Sequence, residues 1–132
     1  LMRRKAELHL DDLKMLYFIN PESDRNLDTR PLVDIAKSVI FKASPAGLCI
    51  SASAAGQEVD NDLIREVKAG APDVVVLCNT GCRVDTVTTK LEYADAAVVG
   101  TTFKEDGDFT KHIDQARVKA FMDVVRSYRS SL

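Results

Sequence analysis

Four short apolar runs, each followed by an amphipathic stretch, constrain this chain more than any other feature. The runs are Leu13 to Asn20, Ala46 to Ser51, Asp73 to Asn79 and Ala94 to Thr101. Strands separated by single helices are the pattern of βαβ units, whose strands run parallel. Each run is nearly continuous in bulky or β-branched side chains, which is expected of strands covered on both faces. Between them, Thr29 to Lys42 has Pro31 near its start and Leu32, Ile35, Ala36, Val39 and Ile40 at helical spacing. Asp60 to Lys68 reads as a helix opened by Asp60 or Asn61 and ended by Gly70. Val84 to Leu91 is a shorter helix, and Asp114 to Tyr128 a final one with Ala116, Val118, Phe121, Met122 and Val125 on its apolar stripe. The first residues read as a helix already in progress, so a chain beginning at Leu1 is expected to be a truncated product or fragment.

A length of 132 residues suits one domain or a fragment of one. A formal net charge of -2 gives no electrostatic footprint for nucleic acid. No apolar run approaches the roughly 20 residues that cross a bilayer, and no leader-like segment precedes a cleavage site; a cytoplasmic protein without a transmembrane segment is expected. Cys49, Cys78 and Cys82 are odd in number, and two of them sit inside apolar runs, where cysteine behaves as a small hydrophobe. With no third or fourth ligand near Cys78 and Cys82, no metal site and no cofactor are expected.

The segments RPLVDIAKSVIF (Arg30 to Phe41), SASAAGQEVD (Ser51 to Asp60), LIREVKAGAPDVVVLCNTGCR (Leu63 to Arg83), ADAAVVGTTFKEDGD (Ala94 to Asp108) and VKAFMDVV (Val118 to Val125) stand in one order and spacing. Together they resemble the C-terminal half of the BtpA family, in the branch that includes SgcQ-type proteins. The resemblance covers about nine tenths of the chain and implies an α/β fold: parallel β/α units forming the C-terminal half of a TIM (β/α)₈ barrel, which normally needs about 250 residues. It implies a phosphoribosylanthranilate-isomerase-like barrel, with an isomerase, aldolase or lyase activity on a sugar-phosphate-like metabolite as one reading. The other is a non-catalytic assembly factor, because one family member is named for photosystem I biogenesis. The chain departs from the family after its first strand, where Phe18 and Asn20-Pro21-Glu22-Ser23 replace an Asp and a Lys-His pair. Periodicity leaves three outcomes open for four parallel strands: a half-barrel, a flat sheet, or pairing with a second copy or the missing half, so that no edge stays bare.

If the first run is the fifth strand of a barrel, the turns Asn79-Thr80-Gly81 and Gly100-Thr101-Thr102 follow the seventh and eighth strands, where barrels often bind phosphate through backbone N–H groups. Thr101 and Thr102 add hydroxyl donors and Lys104 a charge. Ser51 and Gly56 close the same rim, and a small phosphorylated molecule is the expected ligand. Glu22 is the candidate general base, as a carboxylate expected at the barrel mouth. Ser51 and Ser53 have no nearby histidine to activate them as nucleophiles.

Overall fold

Every apolar run contains a strand shorter than the run itself. The computed structural model describes residues 1–132. In chain order the elements are α1 (Met2–Glu7), β1 (Leu16–Phe18), α2 (Leu32–Ala43), β2 (Gly47–Ile50), α3 (Asn61–Gly70), β3 (Val75–Cys78), α4 (Val87–Leu91), β4 (Ala96–Ala97) and α5 (Gln115–Ser130). Two 3₁₀ turns, Thr101–Phe103 and Glu105–Gly107, lie between β4 and α5. The sheet has the order β1-β2-β3-β4, and all three pairings are parallel.

The helix starts follow local hydrogen-bond chemistry. The Asp60 side chain accepts from the Asp62 N–H at 2.9 Å and opens α3. At α5 the Asp114 carboxylate accepts from the N–H groups of Ala116 and Arg117, at 2.8 and 3.3 Å. These donors have no partner inside the helix, so a cap here is worth about 1 kcal/mol. Asp114→Ala should therefore lower the thermal midpoint by roughly 4 °C, with Asn retaining most of the wild-type value. Melting followed by circular dichroism checks this, and an unchanged midpoint in the alanine variant would contradict the cap.

Helices α2, α3, α4 and α5 pack on one side of the sheet. One cluster joins Ile19, Leu48, Ile50, Val76 and Cys78 from the strand runs to Ala36 of α2, Ile64 and Val67 of α3, Val87 of α4, and Phe121 and Val125 of α5. Phe103 meets Phe121 edge-on, with ring centroids 5.1 Å apart. Of the stripe expected on α5, Ala116 is exposed, because the first turn projects past the core toward the strand ends. The opposite sheet face carries Leu16, Phe18, Cys49, Leu77 and Ala96 in register, and no helix covers it. The expectation of strands covered on both faces thus holds for β2, which is buried throughout, and fails where Leu16, Phe18 and Val75 are exposed.

At the N-terminal ends of the strands a single carboxylate gathers several groups. Asp95 Oδ2 accepts from the Val76 N–H at 2.8 Å and from Lys68 Nζ at 2.7 Å. Lys68 also donates to the carbonyls of Pro72 and Val74. No helix is long and apolar enough to cross a membrane.

Candidate functional site

Parallel strands deliver the residues that follow them to a common rim, and here that rim is wired side chain to backbone. After β1, Asn20 donates through Nδ2 to the Ser51 carbonyl at 2.7 Å and accepts from the Ser51 N–H at 3.0 Å. After β2, the Ser51 hydroxyl accepts from Asn79 Nδ2 at 2.9 Å. After β3, Thr80 Oγ1 accepts from the Ala52 N–H at 2.8 Å. After β4, the Thr102 hydroxyl donates to the Cys82 carbonyl at 2.8 Å, and the Thr102 carbonyl accepts from Arg117 Nε at 2.9 Å. Four strand ends and the first turn of α5 are therefore fixed relative to one another by directional bonds.

A cavity of about 510 Å³ opens over this rim. It brings together Glu22, Gly56, Asn79, Thr80, Gly81, Gly100, Thr101 and Thr102, all expected from the sequence. Two expected residues lie elsewhere. Ser51 is 1% exposed and lines a neighbouring polar cavity with Asn20 and Asp60, because its hydroxyl is turned onto Asn79. Lys104 is absent from the lining, since the 3₁₀ turns carry it into a backbone bridge with Ile113. The Thr102 hydroxyl proton is committed to Cys82, so this side chain offers lone pairs rather than the expected donor. Glu22 is half-buried and borders both cavities.

Two guanidinium groups reach the cavity that the rim motifs did not reveal, Arg83 and Arg117. Arg83 is held by Glu58 and lies 3.5 Å from Asp85, so its charge is largely answered. Arg117 is oriented by the Thr102 carbonyl and forms no ion pair with a carboxylate. It lies within the first turn of α5, and a helix that follows a strand begins at the rim; that position was the available signal.

The two glycines differ. Gly81 has φ +68, and a Cβ there would meet backbone atoms of Gln57 and Glu58 at 2.4 to 2.6 Å, so its turn packs against the loop after β2. Gly100 is free of the left-handed region at φ -122, and nothing lies within 4 Å of where its Cβ would be. No close packing against the protein accounts for a glycine there, and the residue lines the cavity.

Below the rim, Lys90 is 3% exposed. Its Nζ donates to the Val59 carbonyl at 2.6 Å and to Asn61 Oδ1 at 2.7 Å, with Glu58 at 3.5 Å. This places α4 against the β2–α3 loop. The three cysteines are buried and unpaired. Burial pushes the Cys82 thiol up to about 12, and those of Cys49 and Cys78 upward as well, because a thiolate would lose its water. A folded-state pKa above the unfolded value means the native thiol holds its proton more tightly than the unfolded one. That stability is fully present below about pH 9 and declines between pH 9 and 12. At pH 8, thiol reagents should therefore label none of the three until denaturant is added; rapid labelling of native protein would refute the buried, protonated state.

A model described as the BtpA family matches residues 1–127. The chain is 41% identical over 128 residues to the sgc region protein SgcQ of Escherichia coli (strain K12), covering 97% of this chain and 48% of that protein. It thus spans about half the length of that curated relative. A solved structure described as native KDPGal has a TM-score of 0.63 at 13% identity, over 98% of this chain and 54% of that one, which is a likeness of fold. With the family model running over nearly its whole length and a relative sharing two residues in five, this chain belongs to the BtpA family.

Proposed function

We propose that the chain binds a small phosphorylated metabolite at the C-terminal ends of its strands, and that its four β/α units form the C-terminal half of a (β/α)₈ barrel. The observation that carries the ligand reading is Arg117, a guanidinium without a carboxylate partner, held by the Thr102 carbonyl at the edge of a cavity that Asn79, Thr80 and Thr101 also line. A guanidinium presents several donors in one plane and suits the paired oxygens of a phosphate. The backbone at Gly81 and at Gly100 to Thr102 supplies neutral donors around it, and Thr101 and Thr80 supply hydroxyls. Glu22, which lines the same cavity, is the general base, taking a proton from the substrate in an isomerase-, aldolase- or lyase-type reaction.

Support for the barrel comes from the winding. A doubly wound sheet carries helices on both faces, whereas here α2 to α5 share one face and the strands follow in chain order. The chain also matches 48% of its curated relative and 54% of the solved neighbour.

Titration with inorganic phosphate, followed by amide NMR, tests the ligand reading. Saturable shifts are expected at Gly81, Gly100, Thr101 and Thr102 and at the Arg117 side chain. If none of these signals moves by roughly 10 mM phosphate, beyond the millimolar affinity that one charge-assisted site provides, the reading fails.

A further inference from the structure

One carboxylate on the loop between β2 and α3 stands between two cations in unlike surroundings. Glu58 Oε1 accepts from the Arg83 guanidinium, and Glu58 Oε2 lies 3.5 Å from Lys90 Nζ. The Lys90 side chain is 4% exposed and that of Arg83 45%. Water competes with the Arg83 contact and is kept from the Lys90 one, so the longer of the two pairings is the less screened. A buried ammonium also has to keep its carboxylate, because its charge would otherwise be left unpaired in the interior. The other donors of Lys90 go to the Val59 carbonyl and Asn61 Oδ1, and Glu58 is the only carboxylate that pairs with it. Arg83 is differently placed. Its second carboxylate, the exposed Asp85, lies 3.5 Å from Nε, and Arg83 lines the cavity over the rim.

We propose that Arg83 is a second phosphate-binding residue, recruited by an exchange of partners. On binding, its guanidinium passes from Glu58 to the ligand, while Lys90, a positioning residue, keeps Glu58 where it is. The exchange rests on the phosphate reading above and adds to it a charge that the ligand has to win from a carboxylate. A guanidinium can give a phosphate two parallel hydrogen bonds in place of the one it gives Glu58. Release strands no charge, since Glu58 stays with Lys90 and is itself part-exposed to water. Arg83 is also rooted beside the other guanidinium of the cavity. The Thr102 hydroxyl donates to the carbonyl of Cys82, the residue before Arg83, and the Thr102 carbonyl accepts from Arg117 Nε. The Gly81 turn packs on the backbone of Gln57 and Glu58, so the exchange moves one side chain and leaves the loops in place.

Calorimetric titration of the full-length protein with inorganic phosphate reads the exchange. Arg83→Ala should weaken binding about tenfold, the contribution of one charge-assisted hydrogen bond. Glu58→Gln should strengthen it about fivefold, since the guanidinium no longer has to leave a carboxylate. In the double variant that gain should vanish, because it acts through Arg83 alone. Lys90→Met leaves Glu58 to Arg83, so it should weaken binding by itself and change nothing when Glu58→Gln is already present. Should Lys90→Met fail to fold, the Arg83 and Glu58 series still decides. Wild-type affinity in Arg83→Ala overturns the exchange. So does a Glu58→Gln gain that persists without Arg83, or a Lys90→Met loss that is as large with Glu58→Gln as without it. A wild-type protein that binds no phosphate at all overturns the phosphate reading itself, and the exchange with it.

Discussion

Gly81→Ala is expected to destabilise the chain by about 4 kcal/mol, a large part of the 5–15 kcal/mol that holds a domain of this size together. Two costs add. An L-residue at φ +68 is strained by about 1–2 kcal/mol. The new Cβ would also stand 2.4 Å from the Gln57 carbonyl oxygen and 2.5 Å from Glu58 Cα, and these are backbone atoms that cannot swing aside. The loop after β2 would have to retreat, and with it Glu58, which holds Arg83 and approaches Lys90. Gly56 provides the control, since it has φ +77 but nothing within 4 Å of its Cβ position. Gly56→Ala should therefore cost only the conformational strain, about 1–2 kcal/mol, and Gly100→Ala the least of the three. Urea unfolding of the three variants reads the series directly, and equal losses at Gly81 and Gly56 would refute the close backbone approach.

Arg117→Ala is the second large effect. A charge-assisted hydrogen bond contributes about 1.5–3 kcal/mol, so the affinity for inorganic phosphate should fall roughly ten- to hundredfold. Arg117→Lys should recover part of the charge and little of the paired geometry. The Asp114 cap on the same turn stays in place, so the melting temperature should move by only a few degrees. Calorimetric titration of both variants separates the outcomes. Wild-type phosphate affinity in Arg117→Ala would remove the residue from the site, while lost binding with lost folding would assign it a structural role through Thr102.

Local patterns in the sequence were sufficient for the strands, the five helices and the start of α3 at Asp60 or Asn61, because each depends on neighbours within a few residues. The rim glycines and threonines were legible for the same reason, since residues just past a parallel strand must reach its end. Ser51 and Lys104 show where that reasoning stops. Position after a strand gives a residue's place along the chain, whereas the Asn79 amide and the 3₁₀ turns decide where its side chain goes. Arg117 was hidden by its helix, whose apolar spacing describes the face toward the core and says nothing of a polar residue in the first turn. The open face was hidden by the apolar runs themselves: a continuous run reads the same whether its second side meets another layer or water.

Asp95 lies at the far end of the sheet from the cavity, and its one oxygen secures both β3 and the base of α3 through Lys68. The anchoring of the edge strand is thereby independent of residues 100–113, which shape the opening. A lineage, or an engineer, can rewrite that whole connection to suit a different guest while the strand beneath it stays moored.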